Sequence, residues 1–169
     1  MRSSWAELFL EFRDGAYLRD GLGVLSSAGA MLWGRKTYEY FARSWTPDRP
    51  HPWTERLHGI QKYVFSSTLQ TADWGDTTIL SGDPACEVAQ LKQEPGGDLL
   101  ILGHTQLAET LMRAGLVDVL DLSIHPVLCA EGALLHRAGL QADLKLAGTK
   151  VFSNIVKLSY QVLPAKTAS

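Results

Sequence analysis

The 169-residue sequence lacks most of the features that mark a special environment. It has only two cysteines, Cys86 and Cys129, far apart and outside any C-x-x-C or Cys/His cluster, so we interpret them as small buried residues in a reducing compartment. No apolar stretch approaches the roughly 18 residues of a membrane-spanning helix, and no signal-peptide pattern opens the chain. These absences predict a cytoplasmic protein with no membrane partner.

Neither sign of charge dominates. Lys and Arg number 16 against 18 Asp and Glu, and no run of five like charges occurs, so we expect no nucleic-acid partner. No pair among the histidines has the spacing of metal ligands, which predicts no metal site; the histidines are His51, His58, His104, His125 and His136.

The length and the 46% hydrophobic content fit one domain over residues 1–169 with a full core. No internal repeat or low-complexity tract divides the chain. Residues 165–169 are predicted to be a frayed tail. The proline-rich stretch from Ser44 to Trp53 is predicted to be a loop inside the domain, since its prolines exclude a helix interior or a central strand.

Strands and helices alternate up to Gly115. Apolar runs bounded by turn residues predict strands at Ala30 to Trp33, Lys62 to Phe65, Thr77 to Leu80 and Leu99 to Leu102. The uninterrupted Leu-Leu-Ile-Leu of the last run favours a central parallel strand covered on both faces.

Apolar spacing and capping residues predict the helices between these strands. The first runs from Lys36 to Arg43, and the second begins at Asp83-Pro84 and ends near Gln93. A third follows Thr105, with Leu107, Leu111 and Met112 on its apolar side and Gly115 as its stop.

After Gly115 the period becomes that of half-buried strands. Leu120, Leu122, Ile124 and Leu128 alternate with polar residues, as do Val156, Leu158, Tyr160 and Val162, and a shorter strand is predicted at Leu144 to Leu146. The fold class predicted is α/β, with a mainly parallel twisted sheet and an antiparallel C-terminal edge.

Three predicted strands end in small or polar residues: Gly34-Arg35-Lys36-Thr37, Ser66-Ser67 and Gly103-His104-Thr105. The carboxyl ends of parallel strands share one rim, where helix N-termini attract anions, so this pattern favours phosphate recognition. Taken singly, each short motif also occurs by chance and in ordinary turns.

Four segments together resemble the dihydrofolate reductase-like superfamily, and most of all its riboflavin-biosynthesis reductase (RibD C-terminal) branch. They are Ala30 to Glu39, Lys62 to Ser67, Leu100 to His104 and Gly115 to Val127. The resemblance spans about Trp33 to Val162. It implies a dihydrofolate reductase-like three-layer fold and an NADPH-dependent reductase, acting as a homodimer on a small pterin-like or pyrimidine-derived substrate.

The resemblance also assigns site residues. Gly34, Arg35, Lys36 and Thr37 match positions at the cofactor phosphates, and Ser66 and Ser67 match the pair near the adenosine 2'-phosphate. The turn and helix start beside the pyrophosphate match Gly103, His104, Thr105, Gln106 and Leu107. Arg35 would favour NADPH over NADH by charge-assisted hydrogen bonds to the 2'-phosphate.

The sequence departs from the family pattern at three places. His104 stands where many relatives have a second glycine, and Ala130-Glu131-Gly132 keeps one glycine of a Gly-x-Gly turn. Residues 1–29 are atypical: they fit one or two short helices, with Leu8, Phe9 and Phe12 on one apolar side, so the first strand is missing or replaced. No catalytic residue can be assigned.

Trp45 and Trp53 could line an aromatic slot for a flat substrate ring, although simple loop packing also explains them and is slightly favoured. Two other functions stay open. One is a non-catalytic nucleotide-binding or regulatory protein that retains the fold. The other is a doubly wound phosphate-binding module outside this family, which would place the Gly34, Ser66 and Gly103 turns on different sheet edges.

Overall fold

The computed structural model describes residues 14–45, 52–103, 106–128 and 140–164. These form two compact units, one of Leu22–Leu116 and one that combines residues 14–21 with the described residues from Val117 onward. None of the helices described is long and apolar enough to cross a membrane.

The described residues form five helices and seven strands. In chain order they are α1 Gly15–Ser27, β1 Ala28–Gly34, α2 Arg35–Ser44, α3 Pro52–Gly59, β2 Gln61–Phe65, β3 Thr77–Leu80, α4 Pro84–Leu91, β4 Asp98–Leu100, α5 Gln106–Arg113, β5 Val119–Ile124, β6 Leu144–Phe152 and β7 Ile155–Val162.

The unit of Leu22–Leu116 contains a parallel sheet in the order β3-β2-β1-β4. The apolar run of β1 is buried from Ala30 to Trp33, as expected of a strand covered on both faces. The prediction of a central strand at Leu99 to Leu102 is wrong. Among the described residues β4 lies at the sheet edge, ends at Leu100 and is only half-buried, because the longer apolar strand β1 lies between β4 and β2.

The predicted helix signals are confirmed where the structure describes them. The Asp83 side chain accepts hydrogen bonds from the amides of Ala85 and Cys86, both at 3.0 Å, and α4 ends at Leu91. The Cys86 amide in particular lowers the pKa of Asp83. At the end of α5, Gly115 adopts the left-handed φ of 68° that a glycine stop allows.

Cys86 corrects the prediction of two buried thiols. It is a free, exposed cysteine in the first turn of α4. Its hydrogen bond with Asp83 raises the pKa of the thiol, which keeps it protonated and weakly nucleophilic. Cys129 lies outside the described residues.

Helix α3 is a correction to the sequence prediction, which places a loop from Ser44 to Trp53 and no helix after it. Its first residue is Pro52, a position where the missing N–H costs nothing. Arg56 of this helix donates to the carbonyls of Leu25 and Ala28, each at 2.9 Å, and so caps the end of α1. The rest of the predicted loop, residues 46–51, lies outside the described residues.

Helix α1 confirms the helical interpretation of the atypical N-terminal segment over residues 15–27. Asp14 caps it by accepting a 2.7 Å hydrogen bond from the Tyr17 amide, which lowers the pKa of Asp14. Residues 1–13, with Leu8, Phe9 and Phe12, and the predicted tail 165–169 lie outside the described residues.

The second unit contains an antiparallel sheet in the order β5-β7-β6. Among the described residues these strands form a sheet of their own, not the predicted edge of the parallel sheet. The predicted short strand at Leu144 to Leu146 is wrong in length: β6 continues to Phe152. A register shift between Leu146 and Gly148 interrupts the alternation of apolar and polar residues along β6, and this alternation is the signal by which the sequence predicts the length of a strand.

The two faces of the antiparallel sheet differ in chemistry. On one face, Asp20 of α1 pairs with Lys157 at 2.9 Å and with Lys150, and Tyr17 packs edge-on against Phe152. Burial disfavours the charge on Asp20, but the two lysines outweigh it and lower its pKa. The register places these apolar side chains on the opposite side, which we call the apolar face: Leu120, Leu122, Ile124, Leu144, Leu146, Val151, Val156, Leu158, Tyr160 and Val162.

Two glycines allow β1 and β4 to approach closely, and they give a stability prediction. A Cβ on Gly97 would lie 2.5 Å from the Ser27 carbonyl oxygen and 2.7 Å from the Gly29 nitrogen. Because both neighbours are backbone atoms, we expect Gly97→Ala to lower the free energy of unfolding by about 1–3 kcal/mol in urea titrations. Gly96→Ala is the matched control, since nothing lies within 4 Å of its Cβ. Equal stability of the two variants would contradict this packing.

Candidate functional site

Three turns lie on one rim of the parallel sheet. Gly34 pairs in register with Phe65, the residue before Ser66, and Met31 pairs with Leu100. Gly34 lies three residues after Met31, and Gly103 lies three residues after Leu100, so both turns lie at the same level of the sheet. We call the set of turns at Gly34, Ser66 and Gly103 the carboxyl rim. This placement removes the structural support for a phosphate-binding module outside the family, which required different sheet edges.

The first turn of α2 is the most anion-attracting part of the carboxyl rim. The N-cap residue is Gly34, which has no side chain to accept a hydrogen bond from the first N–H groups of the helix, and no acidic residue lies in this turn. Arg35 and Lys36 are exposed there, while Thr37 is half-buried. The Arg35 guanidinium lies 3.4 Å from Glu39 in an exposed pair of small energetic value, so it can turn toward a ligand. Unpaired helix N–H groups beside two cations fit a phosphate group.

The second turn of the carboxyl rim is organised by Ser66. Its hydroxyl oxygen accepts hydrogen bonds from the amides of Thr68 and Leu69, at 3.2 and 3.0 Å. The hydroxyl hydrogen is still able to donate, which suits it to an oxygen acceptor. Ser67 is exposed beside it.

The third turn of the carboxyl rim contains Gly103, which adopts φ of 80°, a left-handed conformation that favours glycine. At the start of α5, Gln106 is exposed but Leu107 is buried. Leu107 can therefore approach a ligand through its backbone and not through its side chain. His104 and Thr105 lie outside the described residues, as does the turn at Ala130-Glu131-Gly132.

The two tryptophans predicted to line a slot are stacked on each other. The ring centroids of Trp45 and Trp53 are 6.3 Å apart with the planes at 29°. A flat ring inserted between them would need about 7 Å between the planes, so the stacked pair leaves no slot between the two rings. Trp74 fixes Trp45 in place by donating its indole N–H to the Trp45 carbonyl at 3.0 Å.

Sequence analysis missed Lys62, which is fully buried on β2 beneath this aromatic group. Its ammonium donates to the carbonyls of Ile60 at 2.6 Å and His58 at 3.1 Å, and lies 5.0 Å from the Trp74 ring centroid. Burial lowers the pKa of Lys62 to about 8, although nearby Asp76 opposes the shift. The sequence signal for its burial is the two-residue period of the strand, which places Lys62 on the same face as Val64.

Lys62 makes stability depend on pH. Between about pH 8 and 10.5 the unfolded chain keeps this proton while the folded chain has lost it, so stability rises with pH in that range. The lowering of the Lys62 pKa corresponds to a change of about 3 kcal/mol in the free energy of unfolding across this pH range. We expect chemical unfolding of the wild-type protein to show this rise and Lys62→Met to lack it. The same slope in both proteins would show that Lys62 titrates normally.

Metal ligation has no candidate in the described part of the chain, where no group of three His, Cys, Asp or Glu side chains could hold an ion. His51 and His136 lie outside that part. The candidate site in the described part of the chain is the carboxyl rim, with its cations, hydroxyls and helix N–H groups.

A parallel sheet with a basic carboxyl rim, together with an antiparallel C-terminal sheet, defines a protein with the dihydrofolate reductase-like fold. The RibD C-terminal domain model matches residues 20–158, so the chain belongs to that family. The uncharacterized protein YyaP of Bacillus subtilis strain 168 is 32% identical over 142 residues, which cover 80% of this chain and 75% of YyaP.

Solved structures share the fold at low sequence identity. A protein of Shewanella sp. PV-4, provisionally assigned to riboflavin biosynthesis, matches with a TM-score of 0.69 and 16% identity over 90% of this chain and 81% of its own. The riboflavin biosynthesis reductase Rib7 of Saccharomyces cerevisiae matches with a TM-score of 0.58 and 12% identity, over 89% of this chain and 82% of Rib7. These comparisons confirm the predicted fold class.

Proposed function

We propose that this protein is an NADPH-dependent reductase that transfers hydride to a small pterin-like or pyrimidine-derived substrate. Dihydrofolate and 5-amino-6-(5-phosphoribosylamino)uracil represent the two substrate types. The observation that carries the proposal is the uncapped, basic start of α2 beside Ser66 and Gly103, in a chain of the RibD C-terminal domain family. One rim thus offers several phosphate-binding groups to a dinucleotide.

Each turn of the carboxyl rim has a role in this proposal. Arg35 and Lys36 supply charge to the cofactor phosphates, and Arg35 also binds the 2'-phosphate, which NADH lacks. Ser66 and Ser67 donate hydroxyl hydrogen bonds to the same phosphate. The backbone from Gly103 to Leu107 lies against the pyrophosphate, where the left-handed Gly103 has no side chain to obstruct it.

NADPH, when bound, supplies the hydride, so the chain itself has to position the acceptor and exclude water. In this proposal the half-buried, stacked pair of Trp45 and Trp53 contacts the heterocyclic ring of the substrate. Trp74 keeps Trp45 in place through its hydrogen bond to the Trp45 carbonyl. The proton that completes the reduction comes from solvent in this proposal, since no acid is assigned.

The proposal treats residues 1–169 as one domain of a cytoplasmic homodimer. The family model supports the single domain because its match, residues 20–158, includes parts of both compact units. The exposed free thiol of Cys86 is consistent with a reducing compartment. The homodimer is a prediction from the family resemblance.

A turnover assay tests the proposal. The full chain is mixed with NADPH or NADH and each candidate substrate, and the loss of reduced nicotinamide absorbance is followed. We expect oxidation of NADPH with at least one candidate, and slower oxidation of NADH. NADPH binding without turnover of any candidate substrate would favour the non-catalytic nucleotide-binding alternative. If the protein neither binds NADPH nor turns over any candidate, the proposal is contradicted.

A further inference from the structure

We infer, on the basis of the proposed function, that Lys62 is a positioning residue for the two tryptophans that contact the substrate ring in that proposal. We call Trp45 and Trp53 the tryptophan pair. Lys62 is fully buried on β2, so it acts on the residues around it and not directly on a ligand. Each member of the tryptophan pair has a support, and the Lys62 side chain contacts both supports.

Helix α3 is the first support, because it carries Trp53 as its second residue. The Lys62 ammonium donates to the carbonyl of His58 in the last turn of this helix, and to the carbonyl of Ile60 just beyond it. A cation at the carbonyl end of a helix satisfies carbonyls that have no partner within the helix, and it offsets the negative end of the helix dipole. Lys62 therefore holds the end of α3 against β2.

Trp74 is the second support. Its indole N–H donates to the Trp45 carbonyl at 3.0 Å, and its amide donates to the Tyr38 hydroxyl at 2.9 Å. The Lys62 ammonium lies over the Trp74 ring, 5.0 Å from the centroid, in a buried site where a cation attracts an indole ring more strongly than it does at the surface. Lys62 is thus linked to Trp45 through one intervening side chain.

Gly75 shows how closely the two supports approach each other. It adopts φ of 66°, and a Cβ at this position would overlap the His58 carbonyl oxygen and lie 3.0 Å from Lys62 Nζ. The turn after Trp74 therefore packs directly on the end of α3, with the ammonium at the contact. Because the contact has no spare room, a change at Lys62 affects both supports.

A role of Lys62 as the proton donor of the reaction fits these contacts less well. Burial lowers the pKa of Lys62 to about 8, although Asp76 opposes the shift, and such a value suits an acid at neutral pH. The ammonium, however, is directed to the carbonyls of His58 and Ile60 and to the Trp74 ring, and none of the side chain is exposed. The positioning role uses all three contacts, whereas a proton donor needs a contact with the substrate.

Circular dichroism of the full chain at pH 7 tests the effect of Lys62 on the tryptophan pair. Stacked indole rings couple their electronic transitions, so the spectral difference between a protein and its Trp53→Phe variant reports the geometry of the pair. This difference is measured in the wild-type and in the Lys62→Met background. Methionine is also long and unbranched but lacks the charge and the N–H donors, so we expect the difference to be smaller in the Lys62→Met background.

Steady-state kinetics with the substrate found in the turnover assay tests the consequence for the reaction. Lys62→Met is expected to raise KM for that substrate at least about tenfold and to change kcat less than about threefold, because the loss lies in the binding of the ring. The dissociation constant of NADPH should stay within about twofold, since the ammonium contacts α3 and Trp74 and not the carboxyl rim. Lys62→Gln, which keeps N–H donors without the charge, should give an intermediate KM.

Val88→Ala is the matched control for a general loss of stability. Val88 is 2% exposed, but it belongs to α4 and not to the core cluster around Trp74. Its truncation destabilises the fold without touching either support, so the circular dichroism difference and KM should stay as in the wild type.

An unchanged circular dichroism difference in the Lys62→Met background would overturn the inference, as would an equal decrease in the Val88→Ala background. A fall in kcat at constant KM would also overturn it, and would indicate that Lys62 is the proton donor. If the wild-type protein turns over no candidate substrate, the proposed function fails, while circular dichroism still decides whether Lys62 positions the pair. If Lys62→Met does not fold, Lys62→Gln takes its place in both measurements.

Discussion

Arg35→Ala is expected to weaken NADPH binding about 10- to 100-fold and to weaken NADH binding much less. A charge-assisted hydrogen bond to a phosphate contributes roughly 1.5–3 kcal/mol, and only NADPH has the 2'-phosphate that Arg35 would bind. The existing contact with Glu39 is exposed and long, so its loss costs the protein almost nothing. Fluorescence titration of the variant with both cofactors gives the two dissociation constants.

Arg43→Ala is the matched control for this measurement. Arg43 is an exposed arginine of the same helix, in its last turn, where it is remote from the unpaired N–H groups of the first turn. It should leave both dissociation constants within about twofold, because a surface charge at that distance is largely screened by salt. If Arg35→Ala weakens NADPH and NADH equally, the 2'-phosphate role does not belong to Arg35.

Trp33→Ala is expected to lower the free energy of unfolding by about 3–5 kcal/mol. Trp33 is 1% exposed and stacks on Phe41 and Trp74, with ring centroids 4.9 and 5.7 Å away. Truncation removes both contacts and leaves a cavity at the point where β1 meets the start of α2. For a domain of this size the midpoint of thermal unfolding should fall by about 10 °C or more.

Tyr40→Ala provides the comparison for Trp33→Ala. Tyr40 is an aromatic residue of the adjoining helix, but it is 53% exposed, so its loss should cost less than about 1 kcal/mol. Similar melting temperatures for the two variants would mean that the cluster around Trp33 does not support the fold as described.

The parallel unit could be predicted from local sequence because its signals are short-range. An apolar run followed by Gly34 defined β1 and α2, and Asp83-Pro84 defined the start of α4. The lateral order of strands depends on pairing between distant segments, which a run of leucines does not encode. This is why Leu99 to Leu102 predicted a central strand although β4 lies at the edge.

Features that depend on tertiary contacts escaped prediction. Lys62 carries no motif, and the reason for its burial becomes apparent only when the carbonyls of His58 and Ile60 and the Trp74 ring surround it. The length of β6 was hidden by the shift after Leu146, which breaks the two-residue period. The carboxyl rim itself was predictable, because parallel strands place their carboxyl ends together regardless of their lateral order.

Titration of the purified protein with NADPH and NADH, followed by nicotinamide fluorescence and thermal unfolding together, tests the central claim most directly. A ligand that binds only the folded state must raise the apparent stability of the protein, so the fluorescence titration and the thermal unfolding should report the same binding. Selective binding of NADPH, with stabilisation that grows with its concentration, is the predicted result. No binding and no stabilisation at millimolar NADPH would contradict a dinucleotide site on the carboxyl rim.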